Sequence, residues 1–190
     1  IPGPGGIILG ALAAMAVRAL AALLPAWIRI ARGGHEVIST IMLNNIILQI
    51  TTALVGGPLK GATAVDPRTD SLPPATMLPP VAKSGLFALY PSLLLGAVLV
   101  IGFAIWMKKS IGGFELNAVG ANRRAAEFAG IEASRVMFRA FLASGALGGL
   151  AGAMMVFAHE GAFYSGFSPG YGFDALGVAL LAGNTPWGLL

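Results

Sequence analysis

Cysteine is missing from this chain of 190 residues, which excludes disulfides, thiolate metal sites and a cysteine nucleophile. Charge is scarce as well: Asp, Glu, Lys and Arg fill 11% of positions, against about 25% in a soluble domain. The two histidines, His35 and His159, have no His or carboxylate partners at metal-ligand spacing. Their neighbours Glu36 and Glu160 are adjacent in sequence, and adjacent residues on a helix do not face each other. Both histidines therefore read as interfacial residues rather than ligands. A G-x-x-x-x-G-K-[ST] phosphate loop is absent too, so energy must come from a gradient or from another subunit. The chain reads as a non-enzyme with no metal or cofactor of its own. Residue 1 is Ile, no basic n-region precedes an apolar run, and the last residues, Trp187 to Leu190, fall inside an apolar stretch. The expectation is one partial domain, 1–190, from a longer protein.

What the chain has is apolar length. Hydrophobic residues make up 56% of it, and the mean hydropathy is +0.81. A net charge of +4 comes from Lys and Arg scattered over short loops, the pattern of basic residues that set membrane topology rather than of a nucleic-acid-binding face. The partner this implies is a lipid bilayer, with no nucleic acid. Leu86 to Met107 and Phe141 to Ala158 contain no charged residue over 22 and 18 positions. At about 1.5 Å per residue, runs of this length approach or cross a hydrocarbon core of roughly 30 Å. The expected architecture is all-α, a polytopic transmembrane bundle with spans near 7–28, 37–55, 86–107 and 136–158. A partial element follows at 175–190, too short to cross alone, and so a half-span, a re-entrant element or a truncated helix. The connection 57–85 carries Pro58, Pro67, Pro73, Pro74, Pro79 and Pro80, too many for a helix or an inner strand. Loops 29–36 and 108–135 together hold seven basic residues, and loops 57–85 and 158–174 hold three. The positive-inside rule puts 108–135 in the cytoplasm and the Pro-rich loop outside.

Small residues mark expected helix packing: Ser144, Gly148 and Gly152 on the fourth span, and Gly6, Gly10 and Ala14 on the first. Arg18 extends the second stripe to mid-span; it faces protein or water, snorkels, or marks a later start of the span. The second span, EVISTIMLNNIILQITTAL, is unusually polar. At about 100° per residue Thr40, Asn44 and Thr51 share one face, while Asn45, Gln49 and Thr52 lie about a third of a turn away. Amides and hydroxyls facing lipid would stay unsatisfied, so this helix borders protein or water. Ser39, Thr40, Asn44, Asn45 and Gln49 are the candidate pathway residues, and neutral amides suit a polar, uncharged solute.

Between the third and fourth spans lies the polar, helix-forming stretch Leu116 to Ile131. Its core, Gly120-Ala121-Asn122-Arg123-Arg124-Ala125-Ala126-Glu127-Phe128-Ala129-Gly130-Ile131, resembles the G-x-N-x-x-A-A-x-x-x-G-I cytoplasmic motif of ABC-importer permease subunits, in the family that handles branched-chain amino acids, simple sugars and nucleosides. Glu36 to Asn44 looks like that family's E-V-I-S-T-x-M-L-N span, and Gly166 to Asp174 with Val178 to Leu181 like its late G-x-S-x-G-x-G-F-D…V-A-L-L element. These two point to the simple-sugar and nucleoside branch, fed by basic-membrane-protein-type lipoproteins. The usual pattern has Asn at His35 and an aromatic at Asn45, departures that bear on the substrate. The resemblance implies a multi-pass protein of the bacterial inner membrane that pairs with a second permease subunit, ABC ATPase subunits and an extracytoplasmic binding lipoprotein. ATP and Mg would sit on the ATPase. Gly120 and Gly130 would bracket a short coupling helix, Asn122 would cap it, and Ala125 and Ala126 would present a flat docking surface flanked by Arg123, Glu127 and Ile131. A secondary transporter or channel would share the polar span and the broken late helix but needs an intramembrane ion site, for which Arg18 is the candidate charge.

Overall fold

In the computed structural model, residues 3–33, 36–62, 66–84, 87–167 and 170–189 are described. His35, Ser168 and Pro169, positions of the family-like stretches above, lie outside them. Among the described residues the regular structure is helical apart from one pair of three-residue strands, and the chain divides into two compact units where the sequence suggests one partial domain.

The first unit comprises Ile1–Tyr90 and Phe141–Phe167. Its first helix, α1 (Pro4–Arg32), opens with proline at a position where no intrahelical N–H is needed. It closes at Gly33, whose φ of 62° lets its N–H turn back to the Arg29 carbonyl at 3.1 Å. Arg29 and Arg32 occupy the last turn, beside the negative end of the helix dipole. Next comes α2 (Glu36–Gly56). Helix α6 (Ala133–Met155) belongs to this unit from Phe141 onward and continues as a π-helical turn, Val156–Glu160. Helices α1 and α6 meet backbone to backbone. A Cβ on Gly145 would lie 2.9 Å from the Arg18 carbonyl and 2.8 Å from Ala22 Cβ, and one on Gly149 would overlap the Ala14 carbonyl. A Cβ on Gly10 would lie 2.6 Å from the Phe157 ring. The α1 stripe therefore runs Gly10, Ala14, Arg18, Ala22, but the α6 stripe sits one residue later than the sequence suggests. Gly152 has nothing within 4 Å, and Gly148 meets Arg18 Nε only at 3.9 Å. A buried cluster of Ala11, Ala153 and Phe157 extends this contact outward to Leu72 and Leu78 of the Pro-rich loop.

That loop is ordered by its non-proline donors. Thr69 N–H donates to the Phe163 carbonyl at 2.8 Å, Leu72 N–H to Gly161 at 2.7 Å, and Leu78 N–H to Phe157 at 2.8 Å. Strand β1 (Ala82–Ser84) then pairs antiparallel with β2 (Phe87–Leu89), Ala82 opposite Leu89. This pairing corrects the expected third span, which begins at Pro91 and not at Leu86. A residue before proline is held extended, and proline itself suits the first helical position.

The second unit comprises Pro91–Ala140 and Ser168–Leu190. Helix α3 (Pro91–Lys109) turns directly into α4 (Ile111–Ala121), with the Ser110 hydroxyl accepting the Gly113 N–H at 2.9 Å. A Cβ on Gly113 would lie 2.7 Å from the Trp106 carbonyl, so the tight turn requires glycine. Helix α5 (Arg123–Phe128) follows, then the start of α6. Helix α7 (Tyr171–Leu181) is 11 residues long, and none of its described residues is buried. Among the described residues four helices are long and apolar enough to cross a membrane: α1, α2, α3, and α6 with its π turn. Large side chains along them, among them Leu9, Val17, Leu20, Ile46 and Val98, are more than half exposed, so the contacts they need lie with lipid or further protein.

Candidate functional site

Asn122 divides the polar segment in two. Its backbone is extended (φ −157°, ψ 104°), its N–H closes α4 on the Ala118 carbonyl at 3.1 Å, and its side-chain Oδ1 opens α5 by accepting the Ala125 N–H at 3.1 Å. One residue thus ends a helix and caps the next. At the far end, Gly130 adopts φ 85° and donates to the Glu127 carbonyl at 3.0 Å. Only Gly130 brackets α5. Gly120 lies inside the last turn of α4, because the break comes at the side-chain cap rather than at the glycine.

The two alanines do not form a joint surface. Ala126 is 3% exposed, turned into the protein, while Ala125 is exposed. Neighbours on a helix are about 100° apart, so a helix of 6 residues cannot present both in one direction. Arg123 Nε and Glu127 Oε1 form an i,i+4 ion pair of 2.9 Å, half exposed and worth about 0.3–0.5 kcal/mol. The outward face is instead Arg124 and Phe128, one turn apart, and the Phe128 side chain is 93% exposed. Sequence reasoning passed over Phe128, although an aromatic in a charged segment was the available signal. Ile131 is half-buried, its N–H bonded to the Ala126 carbonyl at 3.0 Å.

On α2 the polar groups sort by partner. Thr40 Oγ1 donates to the Val37 carbonyl at 3.0 Å, Asn45 Nδ2 to Ile41 at 3.0 Å, and Thr51 Oγ1 to Ile47 at 2.9 Å. Local back-bonding of this kind satisfies a polar group without any other helix. Ser39 is half-buried. Asn44 and Gln49 are exposed, and their side chains make no hydrogen bond among the described residues. Thr52 Oγ1 lies 3.5 Å from Ser165 Oγ. Among the described residues no group of His, Asp and Glu could hold a metal ion.

Residues 2–190 match the family described as branched-chain amino acid transport system / permease component. The chain belongs to this permease family. It is similar to a glucose ABC transporter permease protein of Haloferax volcanii, 34% identical over 92% of this chain and 48% of the relative. A nucleoside ABC transporter permease protein of Lactococcus lactis is 33% identical over 88% of this chain and 48% of its own. A guanosine ABC transporter permease protein of Bacillus subtilis is 37% identical over 82% and 45%. The chain spans about half the length of these curated relatives. No solved structure matches. A polytopic helical permease of the membrane accounts for both the four long apolar helices and the exposed apolar side chains.

Proposed function

We propose that this chain is part of the membrane-spanning subunit of an ABC importer, that it lines the route of a nucleoside or simple sugar, and that α5 couples this route to ATP hydrolysis on a separate subunit. The observation that carries the reading is α5 itself. A short capped helix between two spans, with a free Arg124–Phe128 face, has the form of an element built to be gripped, in a chain whose family members are transport permeases. The partners are two ATPase subunits that hold ATP and Mg, a second permease subunit, and an extracytoplasmic binding lipoprotein, all at the bacterial inner membrane. Closure of the ATPases would push α5 and rock the spans between inward and outward access. Asn44 and Gln49 supply free amide donors and acceptors along α2, which fits an uncharged, hydroxyl-rich solute.

Two measurements test this. Because the chain has no cysteine, single cysteines at Lys60 and Glu132 report sidedness against a clean background. Lys60→Cys should be labelled from outside intact cells, and Glu132→Cys only after permeabilisation; the reverse pattern would refute the orientation and the coupling helix together. Uptake of labelled guanosine and glucose by the assembled transporter should stop when the ATPase's own phosphate loop is disabled. Uptake that survives this and follows an ion gradient would establish a secondary transporter.

A further inference from the structure

The outer end of the first unit holds a cleft that neither α5 nor the amides of α2 use. It measures about 390 Å³ and is lined by Asp66 and Arg68 from the Pro-rich loop and by Glu160, Tyr164 and Ser165 after α6. That volume falls within the roughly 300–1,000 Å³ typical of small-molecule sites. Both walls are fixed. Ser165 N–H donates to the Pro67 carbonyl at 3.2 Å, Thr69 N–H to Phe163 at 2.8 Å, and Phe163 N–H to Thr69 Oγ1 at 3.0 Å. Behind the loop, Asp70 Oδ1 accepts the Ala62 N–H at 3.1 Å and lies 2.6 Å from where a Cβ on Gly61 would be, so the loop folds closely on itself. The opposite wall leaves α6 through the π-helical turn, which Phe157 anchors against Gly10 and Gly161 ends at φ 64°. Single π turns are concentrated at functional sites. Here the turn delivers Glu160, exposed, to the cleft.

The lining chemistry is that of hydroxyl recognition. Asp66 and Glu160 make no hydrogen bond or ion pair among the described residues, so each carboxylate can accept two O–H donors. Arg68, steered by a 3.2 Å hydrogen bond to Ser71 Oγ, supplies donors. Tyr164, half-buried and edge-on to Phe167 at 5.9 Å, contributes an aromatic side chain to the lining, the residue type that packs on the C–H face of a sugar or on a base. Two carboxylates against one guanidinium disfavour an anion. Ser165 Oγ touches Thr52 on α2, the helix of Asn44 and Gln49.

We propose that this cleft is an outer vestibule that receives a neutral solute through a vicinal diol, of a free sugar or of a nucleoside's ribose, before the solute moves along α2. The proposal rests on the import reading above and on its orientation. The test uses the complete transporter in lipid nanodiscs, without its binding protein, and saturation-transfer NMR with millimolar glucose, guanosine or 2′,3′-dideoxyguanosine. Glucose, guanosine or both should receive saturation, and dideoxyguanosine at least threefold less than guanosine. Asp66→Asn and Glu160→Gln should each cut the diol signal threefold or more while the complex elutes as the parent does in gel filtration. If one variant fails to assemble, the other and the dideoxy comparison still decide. Parental signals in both assembled variants, or equal signals from guanosine and its dideoxy analogue, would overturn the vestibule. A parent without ATP-driven uptake removes the importer reading instead, and a parent that imports while its variants bind normally removes only the vestibule.

Discussion

Phe128→Ala separates docking from folding more cleanly than any other change in this chain. The side chain is 93% exposed, so its removal forfeits almost no contact within the protein, and stability should stay within about 0.5 kcal/mol of the parent. If α5 seats in an ATPase cleft, the ring is covered there. Full burial of a phenylalanine side chain contributes about 1.5–3 kcal/mol, and aromatic anchors at the centre of an interface dominate binding. At about 1.4 kcal/mol per factor of ten, the ATPase should bind roughly ten- to a hundredfold more weakly. The assay is titration of purified ATPase onto nanodisc-held transporter stripped of it, with thermal unfolding of the permease measured in parallel. Phe128→Leu should fall between parent and alanine, because it retains part of the apolar area. ATPase affinity within threefold of the parent, at unchanged unfolding temperature, would refute the assignment of this face.

Ala126→Glu should act on the opposite quantity. It places an unpaired charge at a site 3% exposed and should lower permease stability by about 3 kcal/mol or more, measured by thermal unfolding before any ATPase is added. Gly149→Ala should cost about 1–3 kcal/mol by forcing α6 off the Ala14 carbonyl, whereas Gly152→Ala, with open space around it, should match the parent in yield and melting. Asn44→Leu should assemble normally yet take up labelled guanosine or glucose several-fold more slowly, since it deletes hydrogen bonds worth about 0.5–1.5 kcal/mol each. Normal uptake with a destabilised complex would make Asn44 an interhelical bond instead.

The helices were legible because apolar length is a coarse signal that tertiary structure seldom overrides. Leu86 to Leu89 shows its limit. These residues continue an uncharged run, and composition alone assigns them to the span, but Pro91 sets the boundary through the conformation it imposes on Tyr90. The glycine stripe shows a second limit. Gly148 and Gly152 have the same four-residue spacing as Gly145 and Gly149, and spacing carries no information about phase. Only the position of α1 decides which pair meets a backbone.

At the candidate sites the same distinction holds between what a residue type prefers and what its neighbours leave for it. Asn122 could be read as a cap because capping is local: the side chain bonds a backbone N–H three residues on. The burial of Ala126 could not, because alanine serves equally well on a surface and in a core. On α2 seven polar residues looked alike in sequence, yet Asn45, Thr40 and Thr51 spend a donor on their own helix while Asn44 and Gln49 do not. A residue's capacity to meet a solute is what remains after its local bonds are made. That remainder is why the proposed pathway rests on Asn44 and Gln49 rather than on the whole polar run, and why the proposed docking face is Arg124 and Phe128 rather than the paired alanines.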